Sequence, residues 1–109
     1  MGTKDYFVYL MASRRNGTLH AGSTSDLIHR VFQHKSRTCD GFTQQHRVDR
    51  LVWFEVHASA YDMVVRERRI KEWPRAWKVE LIEASNPQWH DLYGELLGGV
   101  SLPRRAGGA

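Results

Sequence analysis

The sequence has little cysteine and no long apolar segment. Cys39 is the single cysteine among 109 residues, which excludes an intramolecular disulfide and a structural zinc site made of several thiolates. No apolar run approaches the roughly 20 residues that span a bilayer. The N-terminal apolar segment is too short for a signal peptide and follows an acidic residue, Asp5. We therefore expect a cytoplasmic protein without a membrane partner.

The composition is that of a globular protein with an excess of positive charge. Apolar residues make up 41% of the chain and charged residues 26%, as in ordinary soluble domains. The length suits one domain, expected over residues 1–95, followed by a disordered tail over residues 96–109. The net charge of +4 favours a polyanionic partner such as nucleic acid.

Local sequence patterns predict a small α+β fold. An Asn-Gly pair at 16–17 separates two β-prone runs, which is typical of a hairpin. The other predicted elements are a helix over 26–35, a strand over 50–57, helices over 58–73 and 75–83, and a short helix on the Asn-Pro start of segment 86–97. Ser25 and Asp26 suit the N-cap and first turn of the first helix, Ser59 opens the second, and Pro74 stops the second or starts the third. Segment 36–49 is predicted to be a loop beside the site. The order ββαβαα indicates an α/β chain of the α+β type, with helices packed on a small sheet.

Glu67 is an unusual residue in the helix predicted over 58–73. On a helical projection it falls in the middle of the apolar arc. The arc consists of Ala60, Met63, Val64 and Ile70. Because an unpaired buried carboxylate is costly, Glu67 needs a cation, a set of hydrogen bonds or a metal ion. The cation would be a salt-bridge partner such as Lys71 or Arg30.

Arg30 and His34 lie one turn apart on the first predicted helix, at the border of its apolar arc. They are either ordinary solvent contacts of an amphipathic helix or a pair that faces a cleft. In a cleft, an arginine binds phosphate bidentately and a histidine moves a proton. Tyr9 and His20 lie in the two hairpin strands, where packing is the alternative to a chemical role.

Several motifs follow one another in a characteristic order between residues 5 and 93. FVY at 7–9 and HAG at 20–22 precede the segments GSTSDLIHRVFQH, GFTQQHRVDRLVWFE, RERRIKEW and WKVELIEASNPQWHDL. In this order they resemble the GIY-YIG nuclease superfamily, most closely its small stand-alone bacterial members. The first two segments stand in the place of the family's two signatures.

This resemblance implies a three-stranded, mainly antiparallel sheet flanked by helices, and a phosphodiesterase that depends on Mg²⁺ or Mn²⁺. It implies that a glutamate holds the metal, an arginine stabilises the developing charge, and tyrosines helped by a histidine activate water. The matching residues are Glu67 for the metal, Arg30, His34 and Tyr9 for catalysis, and Asn86 for a late polar residue near the site.

The signatures also depart from the family pattern. Phe7 replaces the first glycine, Ala21 replaces an isoleucine, and His20 replaces the second-signature tyrosine. An imidazole has a reference pKa of about 6.5, so His20 is a plausible general base at neutral pH. The alternative is that the replacement weakens or abolishes catalysis.

The leading hypothesis is a metal-dependent DNA endonuclease with little sequence specificity, acting in DNA repair or processing. Its candidate contacts to the nucleic-acid backbone, which are otherwise solvated charges, are Arg66, Arg68, Arg69, Arg75 and Lys78. One alternative is a catalytically weak or inactive nucleic-acid-binding module of the same fold. Another is a protein-interaction domain that uses the aromatic-rich C-terminal half.

Overall fold

A computed structural model describes residues 4–36 and 47–98. Within these residues, three strands form one antiparallel sheet in the order β2-β1-β3. The strands are β1 (Tyr6–Ala12), β2 (Leu19–Thr24) and β3 (Arg50–His57). Most of the predicted loop 36–49, and the predicted tail from residue 99 onward, lie outside the described residues.

The predicted hairpin between β1 and β2 is confirmed. Asn16 adopts a left-handed backbone conformation with φ of 60°, which asparagine tolerates better than most residues. The Gly17 amide donates a 2.9 Å hydrogen bond to the Arg14 carbonyl and closes the turn. The resulting register places Tyr9 opposite Gly22, and β3 pairs with the other edge of β1.

Helices α1 (Leu27–Lys35) and α2 (Ala60–Glu72) begin at the predicted capping residues. The Asp26 carboxylate accepts a hydrogen bond from the His29 amide at 3.1 Å. The Ser59 hydroxyl accepts one from the Asp62 amide, also at 3.1 Å. These side chains satisfy amides that have no partner within the helix. Helix α3 (Arg75–Ser85) follows Pro74, as predicted, and runs two residues further than expected.

The buried face of α1 differs from the apolar arc read from the sequence. Its buried residues are Leu27, Val31 and His34, whereas Ile28 and Phe32 are 43% and 54% exposed. With 3.6 residues per turn, the buried stripe is rotated by about 60° from the centre of the apolar arc. The rotation places His34 against the sheet and leaves Arg30, on the same side, at the surface.

A similar shift occurs on α2. Ile70 is buried and Met63 is partly buried, but Ala60 and Val64 are exposed. The expectation that all four face the core was therefore wrong for the latter two, because the helix contacts the sheet through the stripe that includes Met63 and Ile70. Glu67 lies at the border of that stripe and is half-buried.

The last described helix, α4 (Tyr93–Leu97), begins later than the predicted Asn-Pro start. The Asn86 carboxamide binds the backbone of His90, and Trp89 adopts a left-handed φ of 57°. These two features turn the chain and prevent a helix from starting there. The helix includes Leu96 and Leu97, the first two residues of the segment expected to be disordered, and Leu96 packs on the core.

The sheet has a hydrophobic core on each face. Tyr9, Leu27 and Val31 belong to the core under α1 and α4. Val8, Ile70 and Ile82 belong to the core under α2 and α3. The predicted α+β fold with element order ββαβαα is thus confirmed. In the described parts of the chain, no helix is both long and apolar enough to cross a membrane.

Candidate active site

Three aromatic side chains from three different elements meet on the α1 face of the sheet. Tyr9 comes from β1, His20 from β2 and His34 from α1, and we call them the histidine cluster. The Tyr9 hydroxyl lies 3.3 Å from His34 Nε2, and the ring centroids of His20 and His34 are 5.2 Å apart. Tyr9 and His34 are only 2% and 3% exposed, whereas His20 is half-buried. His20 is therefore the member of the cluster that reaches solvent.

Gly22 makes room for the Tyr9 hydroxyl. A Cβ atom at residue 22 would lie 2.4 Å from the Tyr9 Oη and 2.6 Å from Cζ, closer than atoms can pack without displacement. The phenol therefore lies directly beneath the backbone of β2. The absence of a side chain at Gly22 is what allows this close approach.

Glu67 forms a second group of polar contacts, with Ser23 of β2 and Lys71 of α2. The Ser23 hydroxyl donates a hydrogen bond to Glu67 Oε1, and Lys71 Nζ lies 2.6 Å from Glu67 Oε2. We call these three residues the carboxylate cluster. Of the two salt-bridge partners considered from the sequence, Lys71 makes the contact.

The contacts of Glu67 keep its carboxylate charged. Burial by itself raises the pKa of Glu67, but the hydrogen bonds from Lys71 and Ser23 and the charges of Lys71 and His20 outweigh it. The pKa consequently lies below its ordinary value, so the group is ionised at neutral pH.

Strand β2 carries residues of both clusters. Successive side chains of a strand point to opposite faces of a sheet, so His20 and Ser23 lie on different faces. In the described residues β2 is an edge strand of the sheet, because only β1 pairs with it. The two clusters can therefore face one ligand that lies across this edge.

Arg30 is exposed one turn before His34 on α1. Its guanidinium forms no hydrogen bond or ion pair with the residues that the structure describes. An unengaged guanidinium beside the histidine cluster is available to bind an anion bidentately.

Comparison with known proteins identifies the family. A model of the GIY-YIG catalytic domain matches residues 5–80. The chain belongs to the GIY-YIG family. A similar solved structure is the solution NMR structure of the UPF0213 protein BH0048 from Bacillus halodurans, with 22% identity and a TM-score of 0.50. The similarity covers 80% of this chain and 92% of that protein, and it supports the fold. No curated protein sequence matches the chain.

The GIY-YIG catalytic domain is a nuclease domain that acts on DNA and generally uses divalent metal ions. Glu67 suits a hard cation, because it is an ionised oxygen ligand near the surface. Residues 4–36 and 47–98 contain no group of three or more His, Cys, Asp or Glu that could hold a metal. One carboxylate, assisted by the Ser23 hydroxyl and by water, is a ligand set that Mg²⁺ accepts.

Asn86 belongs to neither of the two clusters in this GIY-YIG domain. Its amide nitrogen donates to the carbonyls of Val52 and His90 at 3.0 and 2.9 Å. Its amide oxygen accepts from the His90 amide at 3.0 Å. Val52 belongs to β3, which lies on the other side of β1 from β2. The structure thus joins Asn86 to backbone groups and does not place it in either cluster.

Three of the predicted nucleic-acid contacts make hydrogen bonds within the protein. Arg66 Nε lies 3.0 Å from Glu55 Oε1, and its guanidinium stacks over the Trp73 ring at 5.3 Å. Arg75 donates a 2.7 Å hydrogen bond to the Gly17 carbonyl and fixes the hairpin turn. Lys78 donates to the Lys71 carbonyl at 3.3 Å, whereas Arg68 and Arg69 are exposed.

Sequence reasoning did not assign a site role to Ser23. The alternation of side chains along β2 places Ser23 on the face of the sheet opposite His20. A contact to Glu67 depends on how α2 packs on the sheet. That packing is not encoded in either segment alone.

Proposed function

We propose that this protein is a divalent-metal-dependent endonuclease that hydrolyses phosphodiester bonds in DNA with little sequence specificity, in DNA repair or processing in the cytoplasm. The observation that most supports this proposal is the position of His20. It contacts the ring of the buried His34 and lies on the same strand as Ser23, the hydrogen-bond partner of Glu67. A residue of the strand that contributes to both clusters is well placed to act on a phosphate held between them.

In this proposal His20 is the general base. It accepts the proton from water as the water oxygen bonds to phosphorus. The bond to the leaving oxygen breaks, and that oxygen takes up a proton from solvent. The Tyr9 hydroxyl and the His34 ring hold His20 in place from the buried side. An imidazole can accept a proton in this way as a general base.

The remaining site residues bind the charged phosphate and the divalent ion. Arg30 binds a non-bridging oxygen of the phosphate and stabilises the negative charge that develops on it. Glu67, with Ser23 beside it, holds the divalent ion. When bound, such an ion polarises the phosphoryl oxygen and lowers the pKa of bound water. Asn86 supports these residues indirectly, by fixing the segment after α3 to β3.

The low specificity follows from the kind of contact available. The exposed residues Arg68 and Arg69 bind backbone phosphates, which carry no direct sequence information. Arg66, Arg75 and Lys78 are already engaged within the protein, so we assign them a smaller share of that binding.

Cleavage of labelled single-stranded, duplex and branched DNA tests the proposal, with Mg²⁺, Mn²⁺ or EDTA present. The variant Glu67→Gln removes the charge but keeps the shape of the side chain. Glu72→Gln, an exposed position on the same helix, is the matched control. Metal-dependent cleavage that Glu67→Gln loses by about 100-fold or more, and Glu72→Gln retains, supports the proposal.

The second candidate is a catalytically inactive nucleic-acid-binding module. Two observations favour it, namely the histidine in place of the signature tyrosine and the ion pair between Glu67 and Lys71. Its outcome in the same experiment is binding to DNA without metal and no cleavage of any substrate.

A further inference from the structure

The two oxygens of the Glu67 carboxylate have different kinds of partner. Oε1 accepts from Ser23, which lies on another element of the fold. Oε2 contacts Lys71, which lies one turn further along the same helix. The side chain of Lys71 is 51% exposed, against 18% for Glu67. Ser23 therefore ties the carboxylate to the sheet, while Lys71 approaches it from the solvent side.

A divalent cation and the Lys71 ammonium require the same position. Lys71 Nζ lies 2.6 Å from Oε2, and a hard cation binds a carboxylate oxygen at about 2.0–2.6 Å. Two positive groups at one oxygen repel each other strongly where solvent screening is reduced. The long, flexible lysine side chain can leave the carboxylate for water, because it is already half-exposed.

We propose that Lys71 is a built-in counter-ion of Glu67, which the divalent cation displaces when it binds. The inference rests on the proposed function, in which Glu67 is the metal ligand. Without the cation, Lys71 neutralises a half-buried carboxylate that would otherwise lack a positive partner on that oxygen. With the cation, Lys71 is released into solvent. Metal affinity is consequently lower than Glu67 and Ser23 alone would set it.

Thermal unfolding and calorimetric titration with Mn²⁺ or Mg²⁺ alone test this proposal, because neither measurement requires DNA or activity. Lys71→Met removes the charge and keeps the length of the side chain. Lys4→Met, at an exposed lysine before β1, is the matched control for the loss of one positive charge. Glu67→Gln identifies binding at other sites, and Lys71→Gln is a second variant in case the methionine impairs folding.

Displacement predicts that Lys71→Met lowers the stability of the metal-free protein and raises its affinity for metal. In EDTA the variant unfolds at a lower temperature than the wild type, because Glu67 has lost its counter-ion. Its metal dissociation constant falls by about two- to fivefold, which corresponds to the loss of one partly exposed ion pair. At saturating metal the unfolding temperatures of variant and wild type converge. Lys4→Met shows neither effect, and Glu67→Gln shows no metal stabilisation.

Three results would overturn the inference. A stability difference that persists at saturating metal would mean that Lys71 has only a structural role. A variant more stable than the wild type at saturating metal would mean that Lys71 stays beside the cation and repels it. No metal stabilisation of the wild type would remove Glu67 as a metal ligand. A lack of DNA cleavage with these binding effects intact would instead count against the proposed activity alone.

Discussion

The histidine cluster and the carboxylate cluster lie on opposite faces of one edge strand, and they are held in different ways. Tyr9 and His34 are almost fully buried and packed between β1, β2 and α1. Glu67 and Lys71 lie on one helix, and their contact is an ion pair open to solvent. Packing fixes the first cluster, whereas we propose that the second exchanges one cation for another.

The largest expected effect comes from replacing His20, the member of the histidine cluster that reaches solvent. His20→Ala removes the proposed base, and we expect cleavage to fall by about 100-fold or more. His20→Tyr restores the family's residue and should retain much more activity. His29→Ala, at an exposed histidine of α1, is the control. Equal rates for His20→Ala and wild type in single-turnover cleavage assays would exclude the base role.

Arg30 tests whether the surface beside the histidine cluster binds phosphate. Loss of a charged hydrogen-bond donor costs about 1.5–3 kcal/mol, so we expect Arg30→Met to reduce cleavage by roughly 10- to 100-fold. The unfolding temperature should not change, because the guanidinium has no partner in the described structure. Arg30→Lys should recover the activity only in part, since lysine lacks the bidentate geometry. A fall in stability with unchanged cleavage would contradict this role.

Gly22→Ala tests the packing of the histidine cluster. The new Cβ would lie 2.4 Å from the Tyr9 Oη, and we expect a loss of about 1–3 kcal/mol in the free energy of unfolding, as for other overpacked cores. Gly94→Ala is the control, because no atom lies within 4 Å of the Cβ position there. Chemical denaturation measures both. A neutral Gly22→Ala would show that Tyr9 is free to move.

The smallest effect is the pH dependence of the carboxylate cluster. The pKa of Glu67 is lowered in the folded protein, so its stabilising contribution is present above the unfolded-state pKa. That contribution is lost as the pH falls through the folded-state pKa. We expect the stability advantage of wild type over Glu67→Gln to shrink on acidification below about pH 4.5. Glu72→Gln, measured by the same denaturation series, should show a smaller change. An advantage that grows on acidification would contradict the shift.

Individual elements could be predicted because their signals are local. The Asn-Gly turn, the Asp26 and Ser59 caps and the β-branched strand over 50–57 each depend on a few neighbouring residues, and all of them are present. The buried face of α1 could not be predicted from the apolar pattern. Phe32 is exposed and His34 is buried, because the helix turns a polar side chain toward the Tyr9 hydroxyl.

The sequence by itself determined the order of elements, the helix caps, the hairpin and the residues that match the GIY-YIG signatures, since each follows from local propensity or motif order. Only the tertiary structure decided which of these residues meet. It joined Glu67 to Ser23 and Lys71, set Asn86 against β3, and brought His20 against Tyr9 and His34. The physical reason is that such contacts depend on how helices rotate and pack on the sheet, and many residues distant in sequence determine that packing together.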